Sequence, residues 1–409
     1  MKYVIIGNSA AGIAAVEGIR SRDAEGEIVL ISDEPHHTYG RPLISYYLLG
    51  ATDRRRMQYR PEDFYRKNGV RTLFGVRAEK IDAAEKQVML SNGEKIGYGK
   101  LLVAAGSRPF VPPTEGLESV ENKFTFMTFG DALALEKAVS KRRRVLIVGA
   151  GLIGLKCFEG IAARAKSVSV VDMADRVLPS VLDEYGAGIV RRALEEKGAK
   201  FFLSDCVERF SGNVAYLKSG AEIGFDVLVI AVGVRPNTEL VAQAGGAVRR
   251  GIAIDARCRT SLQDVFAAGD CAESRDAVTG EHKVLALLPN AYFQGHCAGV
   301  NMAGGEESFD SAIAMNAVGF FGTHVLTAGA YEGESYVEKE GEKYKKLFFK
   351  DGCLNGFILV NEPERAGIYT SLVRERTPLS QVDFELLKRA PALMAFSQAA
   401  RAEKLARRV

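Results

Sequence analysis

The sequence predicts an α/β chain in which one parallel-sheet unit is used twice, with a mixed region of strands and helices after it. Three observations carry that prediction. Residues 4–12, Val-Ile-Ile-Gly-Asn-Ser-Ala-Ala-Gly, run from an apolar strand through a glycine-bearing turn into a helix. Residues 145–154, Val-Leu-Ile-Val-Gly-Ala-Gly-Leu-Ile-Gly, repeat the device with a complete Gly-x-Gly-x-x-Gly turn. Each pass then closes on an apolar strand ending in glycine, Gly106 in the first and Gly233 in the second, 99 and 84 residues after the first glycine of its turn. Such an internal duplication implies two dinucleotide sites.

Both turns have the same physical logic. Gly7 allows the tight turn and Gly12 lets the helix pack closely on the strand. Backbone N–H groups at the new helix's N-terminus then face an anion, which makes a pyrophosphate site. Ser9 stands where the second glycine is usual, so the first turn is the weaker of the two signals.

Composition sets the bounds. At 409 residues, 47% hydrophobic and 26% charged, the chain is long enough for two or three globular domains. A net charge of only +3 argues against nucleic acid as a partner. The apolar start breaks at Gly7-Asn8-Ser9, too early for a signal peptide, and no run is long enough to span a membrane. The six cysteines form no Cys-x-x-Cys or zinc-like pair, so reduced, buried thiols, no metal site and a cytoplasmic location are expected.

In chain order, residues 13–19 continue the first helix and 27–31 form the second strand. At its end Asp33 or Glu34, about 20 residues past the turn, is placed to accept from ribose hydroxyls; an acidic turn in solvent is the alternative. His36-His37 read as loop histidines. Arg41 before Pro42 sets a guanidinium on a rigid turn, suited to a phosphate, and Arg54-Arg55-Arg56 reads as a solvated loop. Residues 61–67 suggest a short helix, 87–90 and 95–98 a hairpin around Ser91-Asn92-Gly93, and 108–113 a domain crossover. After an amphipathic helix at 131–140 comes the second turn, whose next strand ends at Asp172, 23 residues past Gly149. That carboxylate suits an adenosine ribose and repels a 2′-phosphate, favouring NADH over NADPH, with Arg176 near enough in sequence to blur the preference. Residues 265–270 end in Gly269-Asp270, a carboxylate at a sheet mouth able to bond a polyol chain, and Pro289 opens a helix through 302. Beyond 309 the reading is strands at 317–321, 344–349 and 354–360, then a late helix over 381–402 with a basic end.

These motifs resemble the pyridine-nucleotide-disulfide oxidoreductase superfamily over nearly the whole chain. The resemblance implies two Rossmann-like (three-layer) dinucleotide-binding domains, the second inserted in the first, plus a C-terminal α+β domain. The boundaries are 1–110 and 237–308 for FAD, 111–236 for NAD(H), and 309–409 for an interface or dimerisation domain. It assigns to FAD the turn residues Gly7, Ser9, Ala10, Ala11 and Gly12, then Asp33, Glu34, Arg41 and Pro42. Val76, Ala105, Gly106 and Arg108 follow, with Gly269, Asp270, Pro289 and Asn290. To NADH it assigns Gly149, Gly151, Leu152, Ile153 and Gly154, then Asp172, Val232 and Gly233. Glu159 matches the family glutamate near nicotinamide and flavin N5, and is the one catalytic assignment; a helix-surface acid is the alternative.

Within the superfamily, His-Thr-Tyr-Gly-Arg-Pro-Leu-Ile-Ser most resembles NADH:rubredoxin oxidoreductases and the N-terminal flavoprotein part of nitrite reductases. Thiol-using members carry a redox cysteine where Pro42 stands, and the Cys-x4-Cys pair of others is also missing. The function implied is hydride transfer from NADH to FAD, then electron delivery to a small carrier protein or an iron–sulfur subunit. Its rivals are a peroxide-forming NADH oxidase or diaphorase, and a non-catalytic binding protein regulated by FAD and NADH. The C-terminal region suits either a homodimer interface or a docking surface.

Overall fold

The computed structural model describes residues 1–406, without the side chains of 403 and 404. The chain forms two compact units. One comprises residues 1–175, 197–275 and 282–310, the other 176–196, 276–281 and 311–409.

The first unit holds two five-stranded parallel sheets of the same plan. One runs in the order Val265–Ala267, Lys100–Val103, Lys2–Ile6, Glu27–Ser32, Val70–Phe74. The other runs Lys123–Phe124, Val227–Ile230, Arg144–Val148, Ser167–Asp172, Ala199–Leu203. The last four positions correspond strand for strand. The first strand breaks the match, because Val265–Ala267 comes after the strands of the second sheet in the chain, whereas Lys123–Phe124 comes before the other strands of its own sheet. That placement shows the second sheet inserted in the chain of the first.

Alternation of side chains along a strand builds three layers. Ile5, Ile28, Leu30, Leu102 and Phe266 pack against the helices Ala10–Arg20 and Leu288–Met302. Val4, Val29, Leu101 and Val265 face the other way, onto a small antiparallel sheet carrying Ile81, Val88 and Ile96. The second sheet repeats that outer layer with Phe210, Ala215, Leu217 and Ile223. Between the sheets, Ser107–Pro109 pairs antiparallel with Val234–Pro236, Arg108 opposite Arg235, so the strands that lead out of and back from the insertion are hydrogen-bonded to each other.

The two glycine turns are superposable in detail. Gly7 N–H donates to Ile31 O and Gly149 N–H to Val171 O, both at 2.8 Å. At φ +121° and +116° these glycines hold conformations closed to a side chain. A Cβ there would lie 2.1 Å from Ala104 O or 2.3 Å from Ala231 O. Ser9 has φ −110° and ψ −165°, extended backbone like that of Gly151 at −80° and −175°. The departure from the glycine pattern therefore carries no backbone cost.

In the second unit the sheet order is Met315–Phe320, Thr323–Gly329, Cys353–Val360, Lys343–Lys350, Glu334–Glu340, all antiparallel. The sequence reading found three of these strands. It missed Thr323–Gly329 and Glu334–Glu340, the latter an exposed edge strand whose charges, of the kind that protect an edge from pairing, erase the apolar alternation. The expected late helix over 381–402 is corrected to two. Asp383 caps Phe384–Arg389 by accepting from Leu386 N–H at 2.9 Å, and Ala390 turns extended before Pro391. Gln398–Ala406 then forms a separate helix, and the basic tail at 407–409 lies outside the described residues.

Gly12 meets Gly7 O so closely that an added Cβ would sit 1.9 Å away. Gly12→Ala is therefore expected to lower stability by about 1–3 kcal/mol or more, whereas Ser9→Gly keeps the fold; urea unfolding of both variants checks this, and equal midpoints would refute it.

Candidate functional site

Both glycine turns lie at the C-terminal edge of their parallel sheet, where strand order reverses and a crevice opens. In the first sheet the crevice is a cavity of about 640 Å³. Its wall starts at Gly7, Ser9, Ala10 and Ala11, continues through Asp33, Glu34 and Arg41, and takes in Val76, Ala105, Gly106 and Arg108. Gly269 and Asp270 close it. Segments as far apart as residues 7 and 270 are thus brought to one space.

Four of the residues assigned to this nucleotide lie off the wall. Gly12 is spent on packing against Gly7 O. Pro42 opens the short turn Arg41–Leu43 that leads into the helix Ile44–Leu49. Pro289 and Asn290 sit in the first turn of Leu288–Met302, which presents Leu288 and Ala291 to the cavity instead. Wall residues that sequence reasoning passed over include Asn8, His36, His37, Tyr39, Met127 and Asn237. Asn8 was signalled by its place inside the turn; Met127 and Asn237 carried no signal, since only the fold returns them to the site.

A network of charge lines the middle of the cavity. Arg41 pairs with Glu34 Oε1 at 2.6 Å, and Tyr39 donates its hydroxyl to Glu34 Oε2 at 2.7 Å. Burial, the largest influence, holds the Tyr39 phenol well above its usual range, with Arg41 opposing and Glu34 adding. Tyr39 is thus a neutral donor. Its oxygen in turn accepts from Phe129 N–H at 2.9 Å. Thr128 and Asp131 form a capping box on the helix Phe129–Ala138, and Asp131 also takes the Met127 N–H at 2.8 Å. Arg41 donates to Met127 O at 3.3 Å. Met127 is therefore fixed from both sides, and it also lines a small cleft with Ile153 of the second turn and Gly233, which follows the closing strand Val227–Ile230.

At the second turn, Asp172 accepts from Ala150 N–H at 2.6 Å and from Ala174 N–H at 2.8 Å, which holds its carboxylate beside Gly149 and Gly151. Leu152 begins the helix Leu152–Ile161, Gly154 packs under Gly149 O, and Val232 is exposed. Arg176 donates to Leu182 O at 3.2 Å. Glu159 is buried on the glycine helix, ion-paired with Lys156, whose ammonium lies 4.2 Å from the centre of the Tyr46 ring. It lines neither the cavity nor the cleft.

The cavity residues fit FAD. The helix Ala10–Arg20 starts with no side chain capping it, which leaves its first N–H groups for an anion. His37 Nε2 is buried without a hydrogen-bond partner. Asp270, half-buried, has its pKa raised by desolvation, against the lowering pull of Arg41 and the Ser107 hydroxyl at 3.3 Å. Because the native state holds that proton more tightly than the unfolded chain, Asp270 costs stability as pH rises from the ordinary carboxylate range through its raised native value. Asp270→Asn is accordingly expected to raise the melting temperature of the apoprotein at pH 7 while weakening FAD binding roughly ten-fold or more. A lower apoprotein melting temperature, or FAD binding unchanged by fluorescence titration, would contradict this role.

Comparison with known proteins agrees with the geometry. Residues 1–295 match the family described as pyridine nucleotide-disulphide oxidoreductase. The chain is 31% identical over 392 residues to the NADH-dependent phenylglyoxylate dehydrogenase subunit epsilon of Aromatoleum evansii, covering 93% of each chain. It is 30% identical to the rubredoxin-NAD(+) reductase of Alcanivorax borkumensis, covering 88% of this chain and 94% of that one. It also matches nitrite reductases of Bacillus subtilis and Escherichia coli, of which it spans 48% and 45% of the length. In fold, it superposes on putidaredoxin reductase from a covalent complex with putidaredoxin with a TM-score of 0.86, at 23% identity, covering 99% and 98% of the two chains. No described helix is long and apolar enough to cross a membrane. With two glycine turns, one cavity shaped for FAD and a family match through residue 295, the chain belongs to the pyridine nucleotide-disulphide oxidoreductase family and is an FAD-dependent NAD(P)H oxidoreductase.

Proposed function

We propose that this chain oxidises NADH in preference to NADPH and delivers the electrons singly to a small protein carrier: a rubredoxin, a ferredoxin or an iron–sulfur subunit of a larger complex. One observation carries the reading. None of the six cysteines is a wall residue of the cavity, and the family resemblance puts Pro42 at the place of the redox cysteine of thiol-using members. Cys157, Cys258, Cys271 and Cys297 are buried, and desolvation pushes the Cys271 thiol up to about 11, far from a reactive thiolate. Disulfide reduction therefore lacks its nucleophile.

The chain's own groups divide the work. The uncapped N-terminus of Ala10–Arg20 would hold the FAD pyrophosphate, Asp270 would accept from a polyol hydroxyl, and Glu34, oriented by Arg41 and Tyr39, would keep lone pairs for ribose. The second turn holds the NADH phosphates, and Asp172 accepts from the adenosine ribose. Met127 forms the shared wall that keeps water from the junction of the two sites. Glu159, buried against Lys156 and off both walls, is placed near the nicotinamide by the family resemblance and would act there through its neighbours. Bound FAD supplies the conversion from two-electron to one-electron chemistry, so that NADH and two oxidised carriers give NAD⁺, one proton and two reduced carriers.

With this reading go an FAD domain at 1–110 and 237–308, an NAD(H) domain at 111–236, a C-terminal homodimer or docking region at 309–409, and a cytoplasmic location. The names of the relatives support it, since one is a subunit of an NADH-dependent dehydrogenase and another a reductase of rubredoxin.

The test is an anaerobic titration of the flavoprotein with NADH, followed by mixing with oxidised rubredoxin, ferredoxin or air. Fast reoxidation by a carrier with slow reoxidation by air is expected; fast reaction with air alone, releasing peroxide, would replace this reading with an oxidase. Asp172→Ala is expected to cut the NADH to NADPH ratio of kcat/KM roughly ten-fold or more, and an unchanged ratio would remove Asp172 from specificity.

A further inference from the structure

We infer that Arg54, Arg55 and Arg56 form the docking surface for an acidic electron-carrier protein, with the Phe129 ring as the layer between that surface and the FAD cavity. This deepens the proposed function and rests on it.

The three arginines are exposed. Arg56 pairs with Asp53 at 2.7 Å, while Arg54 and Arg55 have no acidic partner among the described residues. Their loop is nonetheless held in one shape. The Asp53 carboxylate accepts the backbone N–H groups of Arg55 and Arg56 at 3.0 and 2.9 Å, and Met57 beside them is buried. Gly40 N–H donates to Met57 O at 2.8 Å and Tyr39 bridges to Gln58, so the arginine loop is tied directly to the segment that carries Tyr39 and Arg41 into the cavity.

The rings beneath the loop form a continuous contact. The Arg54 guanidinium lies 5.5 Å from the centre of the buried Phe129 ring. That ring meets His36 at 5.3 Å and Tyr39 at 5.8 Å, both of them cavity-wall residues, and Tyr47 at 5.2 Å. One side chain thus separates the basic surface from residues that line the cavity. A carrier seated there would lie one side-chain layer from the cavity that would hold FAD, and with one electron taken per visit two oxidised carriers and NADH would give two reduced carriers, NAD⁺ and one proton.

Charge identifies the partner's chemistry. Spaced guanidinium forks suit surface carboxylates and steer an acidic protein toward the loop. Nucleic acid asks for a broad basic footprint, and the whole chain carries only +3.

The experiment uses the FAD-loaded full chain, with Arg54→Glu/Arg55→Glu and Arg54→Gln/Arg55→Gln as variants. NADH-driven reduction of an acidic rubredoxin and of a [2Fe–2S] ferredoxin is followed over a range of ionic strength, with menadione as an uncharged control acceptor. Charge reversal is expected to raise KM for the carrier on the order of ten-fold or more and to flatten its salt dependence. The neutral pair should give a smaller rise, with menadione turnover and FAD content unchanged. Carrier reduction with wild-type KM and salt dependence in the reversed variant would overturn the docking surface. Wild-type enzyme that reduces menadione but neither carrier would instead refute the carrier reading, and the docking surface with it.

Discussion

The close approach of backbone to backbone at the two glycine turns is the constraint on which the other features depend. At Gly7 and at Gly149 the chain passes so near the carbonyl of the neighbouring strand end, Ala104 or Ala231, that no side chain fits. The turn can then be short enough to start a helix directly at the sheet edge, with its first N–H groups pointing into the crevice. Had either turn been wider, the helix would begin farther from the sheet and its dipole would address solvent. Gly12 and Gly154 complete the device by letting each helix return onto its own turn.

Around that fixed anion site the polar groups are arranged so that most are already engaged. Glu34 has a partner on each oxygen, Arg41 is shared between Glu34 and the Met127 carbonyl, and Asp172 accepts one backbone N–H from the glycine turn and one from its own. Such pre-ordering lowers the reorganisation needed when a nucleotide arrives. Asp270 is engaged more weakly, by the Ser107 hydroxyl at 3.3 Å, and its burial disfavours its charge, so it gains from a further hydroxyl donor.

The two copies of the unit are joined as well as repeated. The outgoing and returning strands, Ser107–Pro109 and Val234–Pro236, bear the matching segments Ser-Arg-Pro and Val-Arg-Pro, paired antiparallel around Arg108 and Arg235. Met127, which follows the edge strand Lys123–Phe124 of the second sheet, lines both the large cavity and the small cleft beside the second turn.

Much of this was legible in the sequence. The glycine turns, the duplication, the acidic strand ends and the Gly269-Asp270 strand were all readable because each depends on local backbone geometry or on a short period, and both are written in neighbouring residues. Ser9 read as a weakness of the first turn, and only its extended backbone, like that of Gly151, shows that the departure is tolerated. What only the tertiary structure decided was which distant residues complete the cavity. Met127, Asn237 and His37 reach it from loops whose own sequence has no periodicity, and the engagement of Glu34 by Arg41 and Tyr39 depends on how a turn folds back. The C-terminal strands were blurred for a related reason. Glu334–Glu340 is an edge with charged residues on both faces, and the late helix is broken by Pro391, whose effect on Ala390 is local but whose flanking helices are ordered by packing. Local chemistry specified the turns; long-range packing chose their partners.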